Sequence, residues 1–332
     1  MHGMINAHSF ACVCALRPHL PYSVASCRQQ VEPVRAESDR VVTVTRQDLA
    51  ERYDHLYDDD FSWLSERGER RFAALRGKTV LVARHCESTY QVLRETGNAS
   101  TGGKLRWEDA RGRKDCLDAP LSGVGRCQAS HLGTRLALCG FQPDLILSSP
   151  LTRCLQTASL AFPAAFTPVA LGGLVPRLSC EVKMSHLLPE AVDSWADCGR
   201  PIDDVIADGN PDLERFRGAM SASRFQRVGS DPNAALRPRR WDFVTETMGA
   251  DGVRRPLEVP FPQEPRRSAQ LRAALVWRLL SENRPERRVF VVTHSKLVKE
   301  DSREGFSGNL LGPGIREFKN GEFALVVFEE GE

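Results

Sequence analysis

Apolar residues fall into two patterns along this chain. Short unbroken runs at Lys78-Thr79-Val80-Leu81-Val82-Ala83, Leu145-Ile146-Leu147-Ser148-Ser149, Arg288-Val289-Phe290-Val291-Val292-Thr293 and residues 323–328 predict strands, and continuous runs of this kind suit strands covered on both faces. Spaced apolar positions between them predict helices. Val124, Cys127, Leu132, Leu136 and Cys139 approximate a helical stripe, with Ser122 placed as N-cap and Gly140 just past the end. Residues 152–162, after Pro150 stops the second strand, and residues 269–280 read the same way. Strands that alternate with helices imply an α/β fold, three-layer αβα with a mainly parallel central sheet.

Two stretches break the rhythm. Residues from about 172 to 265 hold many Pro, Gly and Asp, with turn-forming groups at Asp203-Asp204, Asn210-Pro211-Asp212 and Asp231-Pro232-Asn233, and are read as an inserted cap. Residues 1–45 are read as a disordered or targeting extension: Arg17, Arg28 and Arg35 are present and the first acid is Glu32, a composition like that of a transit peptide. Residues 46–77, with Leu49, Tyr53, Leu56, Phe61 and Leu64 at helical spacing, are read as a helical arm feeding the first strand, and 78–332 as the main domain.

A chain of 332 residues with 41% hydrophobic and 27% charged positions can bury a full core. Lys and Arg number 45 against 43 Asp and Glu, so no overall field recruits nucleic acid or an anionic membrane, and any anion preference must be local. The longest apolar runs, such as residues 10–16, fall far short of the roughly 20 residues that cross a bilayer. Ten cysteines include no C-x-x-C pair, which removes the spacing of a zinc knuckle or a redox dithiol and favours buried thiols in a reducing, intracellular compartment, cytoplasmic or organellar.

Ligands of open parallel sheets bind beyond the carboxyl ends of the strands. Three apolar strands stop at charged or imidazole groups: Arg84-His85 after the first, Arg153 in the turn after the second, His294 after the third. Two guanidinium forks and two imidazoles at one crevice suit a phosphate dianion, because Arg donates paired, charge-assisted bonds to phosphate oxygens.

The residues around these four groups resemble a known family. Arg84-His85-Cys86-Glu87-Ser88-Thr89-Tyr90-Gln91 is similar to the RHGES-x-x-N signature of the histidine phosphatase (phosphoglycerate mutase-like) superfamily. Asp118-Ala119-Pro120-Leu121-Ser122 with Gly125 and Gln128-Ala129 resembles its D-x-P-L-T/S-x-x-G-x-x-Q-A segment, residues 148–158 its S-S-P-L-x-R-A-x-Q-T-A segment, and Val291-Val292-Thr293-His294 its V-V-T/S-H-G end. The resemblance implies that His85 is a phosphorylated nucleophile, that Arg84, Gln91, Arg153 and His294 bind the phosphoryl group of a small phosphorylated substrate, and that neither metal nor other cofactor is needed. It also implies a general acid after the helix carrying Arg153. Leu187-Leu188-Pro189-Glu190 followed by Ala196-Asp197-Cys198-Gly199 is loosely similar to that region, so Glu190 is the candidate, with Glu181 and Asp197 as substitutes.

Cys86, Gln91 and Ser295 depart from the family pattern at a glycine, an asparagine and a glycine. If the backbone at Cys86 or Ser295 needed positive φ, the site would be disabled, which makes a phosphate-binding regulatory module the second reading. A mutase-type phosphotransferase is the third, although residues 172–200 lack the E-R-x-Y-type stretch of the glycolytic mutases. A cysteine-phosphatase loop fails because the next arginine after Cys86 is Arg94, and residues 97–105 only graze a Walker A loop and are read as a mobile loop near the entrance. Lys296 and Lys299 are placed to meet a second anionic group of the substrate.

Overall fold

Side chains alternate between the faces of a strand, so a continuous apolar strand feeds two cores at once. The computed structural model describes residues 40–56, 62–97, 103–166, 180–191, 194–200, 205, 210, 212–213, 246–248, 254–256, 266–282, 285–299, 308–312, 315 and 318–329. Within it β1 (Arg40–Thr45), β2 (Thr79–Arg84), β3 (Leu145–Ser148), β4 (Glu181–Met184), β7 (Arg288–Thr293) and β8 (Phe323–Glu329) form one sheet in the order β1-β8-β2-β7-β3-β4. A separate antiparallel pair joins β5 (Glu246–Met248) and β6 (Arg254–Pro256). In the large sheet only the β2–β8 pairing is antiparallel.

Val80, Val82, Leu145, Leu147, Val289 and Val291 enter one core with Leu49 of α1 (Arg46–Tyr53), Phe72 and Leu75 of α2 (Glu66–Arg76) and Trp277 of α8 (Arg266–Ser281). Their strand neighbours Leu81, Ala83, Ile146, Phe290 and Val292 enter the other, with Leu132 and Leu136 of α5 (Gly123–Leu138) and Leu155 and Ala158 of α6 (Thr152–Ala161). Helices therefore cover both faces, and the expected αβα layering stands. Shorter helices complete the described chain: α3 (Thr89–Thr96), α4 (Trp107–Arg111), α7 (Pro163–Phe166) and α9 (Ser295–Val298).

The element boundaries follow the local signals. Ser122 Oγ accepts from Gly125 N to cap α5, and Gly140 sits past its end at φ 69°. Two strands of the main sheet escape the sequence reading. β1 lies within the stretch assigned to the extension, and β4 within the stretch assigned to the cap, yet both are edge strands of the main sheet. Likewise α1 and α2 are not an arm, because their apolar faces close one of its cores. Residues 1–39 and most of the expected cap between 172 and 265 lie outside the described residues.

α5 and α6 approach closely because Gly133 has no side chain: a Cβ there would stand 2.1 Å from the carbonyl oxygen of Ala161. Gly133→Ala is expected to keep the fold but lose about 1–3 kcal/mol of stability, the usual cost of overpacking. Urea titration checks this, and a variant as stable as wild type would mean that the two helices are not in backbone contact.

Candidate active site

Adjacent carboxyl ends of β2, β7 and β3 set the site. Arg84 pairs with Thr293 and Ser148 with Val292 in register, so the residues that leave these strands emerge side by side. Two further bonds, His85 N to Thr293 O at 2.9 Å and Ser149 N to Val292 O at 3.0 Å, carry the ladder one residue past the strands. The rings of His85 and His294 then lie with centroids 5.0 Å apart.

Arg153, the second residue of α6, joins them. Its Nε donates to His85 Nε2 at 3.3 Å, and Nη2 contacts His294 Nδ1 at 3.2 Å. Each imidazole thus has one nitrogen facing a donor and one facing an acceptor, which assigns the tautomers. His85 Nδ1 carries the proton and donates to the Cys86 carbonyl at 2.7 Å, leaving Nε2 with a bare lone pair. His294 accepts at Nδ1 and donates from Nε2 to Ser149 Oγ at 2.9 Å, with Cys154 Sγ 3.2 Å away. Burial first, and then the charges of Arg153 and Arg84, hold His85 well below the ordinary histidine range. His294 is held down in the same way, by burial and then Arg153.

Arg84 is half-buried, with Nη1 on the Phe318 carbonyl at 2.6 Å and its charge bearing on both imidazoles. Glu190 enters from the loop after β4. Arg272 of α8 donates to the carbonyls of Leu187 and Pro189 at 2.9 and 2.8 Å, and Thr293 Oγ1 to that of Leu188 at 2.6 Å, which pins this loop against β7. Glu190 Oε1 accepts from the backbone of Ala191 and Lys296, both at 3.1 Å. Burial raises its carboxyl above the ordinary range, opposed by the Lys296 charge and reinforced by Asp197. Asp197 itself reaches Arg153 Nη2 at 3.3 Å.

Of the remaining expected residues, Gln91 and Glu181 separate from this cluster, whereas Lys296 stays beside Glu190. Gln91 is bound otherwise: its oxygen accepts from Ser88 N and from Asn320 Nδ2, and its amide nitrogen donates to Asn320 Oδ1. It closes the capping box of α3. Glu181 is exposed at the start of β4 in an ion pair with Lys183, away from the strand ends that carry the imidazoles. Lys296 meets Glu190 through its backbone N–H. Cys86 turns its thiol toward Leu121 and Ala129, where burial pushes it up to about 12. Neither Cys86 nor Ser295 is at positive φ, so the two departures from glycine cost no backbone strain.

Sequence reasoning missed Arg272, whose one signal is a charge amid the buried apolar residues Leu271, Ala273 and Ala274. It also missed how the second motif works. Leu151 caps α6 with no side-chain bond; instead Asp118, held at φ 48°, accepts from Thr152 N at 2.8 Å and Thr152 Oγ1 at 2.6 Å. Asp118 thereby fixes the turn of helix that presents Arg153. Thr157 Oγ1 accepts from Cys86 N at 3.1 Å, Gln128 from Glu87 N at 2.9 Å and Gln156 from Leu121 N at 2.8 Å, tying the first three motifs together. Gly125 completes the junction, since a Cβ there would lie 1.9 Å from the Glu87 carbonyl oxygen.

The family model described as the histidine phosphatase superfamily (branch 1) matches residues 80–171, the segment that supplies Arg84, His85 and Arg153. The chain's resemblance to that superfamily is thus shown by its own sequence over this segment, and the six-stranded, mostly parallel α/β sheet is consistent with it. The superfamily comprises phosphatases and phosphoglycerate mutase-like proteins.

A search of curated proteins gave no match. Similar solved structures include the alpha-ribazole phosphatase from Shigella flexneri, 17% identical with a TM-score of 0.33 over 66% of this chain and 75% of that one. A mycobacterial glucosyl-3-phosphoglycerate phosphatase is 21% identical with a TM-score of 0.32 over 67% and 76%. Phosphoserine phosphatase from Entamoeba histolytica, in complex with 3-phosphoglyceric acid, is 18% identical with a TM-score of 0.29 over 65% and 74%. Among the described residues no helix is long and apolar enough to cross a membrane.

Two imidazoles held neutral in the fold make stability depend on pH. The unfolded chain takes up their protons near pH 6.5, whereas the folded chain resists until well below it, so stability is full above about pH 6.5 and falls as the pH drops toward the folded values. Each imidazole contributes a slope of up to about 1.4 kcal/mol per pH unit in that window. His294→Gln is expected to reduce the slope of unfolding free energy between about pH 6.5 and 5 by about that amount. Urea titrations across this range test it; an unaltered slope would show that His294 takes up its proton in the fold as readily as in the unfolded chain.

Proposed function

We propose that the chain is a phosphomonoester hydrolase that acts on small phosphorylated molecules through a phosphohistidine at His85. One observation carries the reading: the Nδ1–H bond to the Cys86 carbonyl leaves Nε2 proton-free and turned to the guanidinium of Arg153. An imidazole must be neutral, with a free ring nitrogen, to attack phosphorus.

In the first step the Nε2 lone pair forms the N–P bond as the ester P–O bond breaks. Glu190, whose carboxyl burial raises above the ordinary range, delivers a proton to the departing oxygen. Arg153 turns its donors from His85 Nε2 to the phosphoryl oxygens, Arg84 adds positive charge where charge develops, and neutral His294 orients the Arg153 fork through its Nδ1. In the second step water attacks phosphorus, Glu190 accepts its proton, the N–P bond breaks, and inorganic phosphate leaves with His85 neutral again. Cys86 and Ser295 do not tell against turnover, since neither is strained.

His85→Ala is expected to abolish hydrolysis of a generic aryl phosphate, and acid-labile, base-stable phosphate is expected on the wild-type chain during turnover. Full activity in the alanine variant would overturn the mechanism. Glu190→Gln should lose about a hundredfold or more in rate toward alkyl phosphates, whose alkoxide leaves poorly, and much less toward aryl phosphates. Equal loss on both would remove Glu190 from the role.

Water rather than a second hydroxyl is the expected acceptor, since residues 172–200 hold no E-R-x-Y-type stretch to retain an intermediate. Incubation with 3-phosphoglycerate and a bisphosphoglycerate primer should release inorganic phosphate; faster sustained formation of 2-phosphoglycerate would make the chain a mutase.

A further inference from the structure

Every nitrogen of the Arg153 guanidinium has an acceptor of the protein's own. Nε reaches His85 Nε2 at 3.3 Å, Nη1 the Ala196 carbonyl at 2.5 Å, and Nη2 both Asp197 Oδ1 at 3.3 Å and His294 Nδ1 at 3.2 Å. Two of these acceptors come from one short turn. Its three-residue helix, Trp195–Asp197, places a carbonyl and a carboxylate on the two Nη atoms of the fork.

That turn is built to hold its position. Ser194 Oγ donates to Asp197 Oδ2 at 2.6 Å, and Asp197 N donates to the Ser194 carbonyl at 3.1 Å. Ala196 packs with Tyr90, Ala110, Cys116 and Ala119, and Trp195 with Leu117 and Cys198. Arg153 and Asp197 are 4% and 8% exposed, so their ion pair is weakly screened.

A phosphoryl group seated at His85 Nε2 meets Arg153 on its Nε and Nη2 side, since phosphate oxygens bind a guanidinium in the paired manner of a carboxylate, and Nη2 is the donor that Asp197 holds. A phosphate dianion and the Asp197 carboxylate repel one another at that range, and a buried site does little to relieve it. They therefore exclude one another on the fork.

We propose that Asp197 is the internal counter-ligand of Arg153: its carboxylate and the phosphoryl group exchange places on the guanidinium, so Asp197 sets phosphate affinity and displaces the product. This rests on the reading of Arg153 as the phosphoryl clamp. Asp197 acts through Arg153 and is a positioning residue, not a catalytic one. Ser194 acts through Asp197.

The test uses the full chain with inorganic phosphate as the probe. Binding to wild type, Asp197→Asn and Ser194→Ala is measured by titration calorimetry at pH 7, beside kcat, KM and the inhibition constant of phosphate with an aryl phosphate substrate. The neutral amide cannot oppose a dianion, so Asp197→Asn is expected to bind phosphate at least about tenfold more tightly, the low end of what removal of a juxtaposed like charge yields. Its KM should fall, and its kcat should fall too as phosphate release slows.

Ser194→Ala, which only loosens the carboxylate, should shift in the same direction by less. A folded Asp197→Asn that binds phosphate equally or more weakly would overturn the proposal, because Asp197 would then merely hold Arg153 in place. If Asp197→Asn does not fold, Ser194→Ala decides alone: tighter phosphate binding sustains the proposal, and unchanged or weaker binding overturns it. Tighter binding by Asp197→Asn in a protein that hydrolyses no phosphomonoester would uphold the counter-ligand while refuting the hydrolase. Hydrolysis by wild type with no tightening in either variant would do the reverse. No phosphate binding by any of the three would refute both.

Discussion

A guanidinium buried at the end of a sheet must find an acceptor for each of its nitrogens, and the site around Arg153 is shaped by that requirement. Two of its acceptors are imidazole nitrogens, which can accept only while they are unprotonated. The cation thereby favours neutral His85 and neutral His294, and their own outer bonds, to the Cys86 carbonyl and Ser149 Oγ, settle which nitrogen of each carries the proton. The same buried charge opposes the rise that burial imposes on Glu190 and Asp197. The neutral state of the two imidazoles therefore follows from one buried cation among apolar strand ends, whereas the raised carboxyl of Glu190 follows from burial and is held against that cation.

Holding that cation requires more of the chain than the residues that touch it. Arg153 stands one residue into α6, where backbone N–H groups lack helical partners, and its N-cap Leu151 supplies no side-chain acceptor. Asp118, distant in sequence, supplies it instead and tolerates a left-handed backbone to do so. Thr157, Gln156 and Gln128 then spend their polar groups on backbone N–H groups of the loops at Cys86, Leu121 and Glu87. Motifs that read as separate phosphate-site segments are thus mostly one another's supports. Few of their residues face the reacting atoms.

The Glu190 loop shows the same economy from the opposite side. Three carbonyls in succession are taken by Arg272 and Thr293, one from α8 and one from the strand that ends at His294. Glu190 and His294 therefore share a support in β7. Displacement of that strand would move Glu190 and His294 together, because Thr293, one residue before His294, holds the Leu188 carbonyl through its side chain.

By itself the sequence determined the central strands, the helices α5, α6 and α8, the αβα layering, and the arrival of Arg84, His85, Arg153 and His294 at one edge. Those features rest on local periodicity and on the rule that parallel strands present their carboxyl ends together, and both are written in short windows of residues. It also pointed to Glu190, which the structure brings beside the others. Edge strands β1 and β4 were illegible, because each has only one neighbour in the sheet and a mixed pattern that a loop or extension also shows. Gln91 was read as a phosphate ligand when its amide closes a cap with Ser88 and Asn320, a partner 229 positions away. Only the tertiary structure decided that partnership, the hold of Arg272 on the acid's loop, and the meeting of Asp197 with Arg153. Each joins a side chain to a partner at a long, aperiodic separation, and a hydrogen bond of that kind leaves no repeating trace in the order of residues.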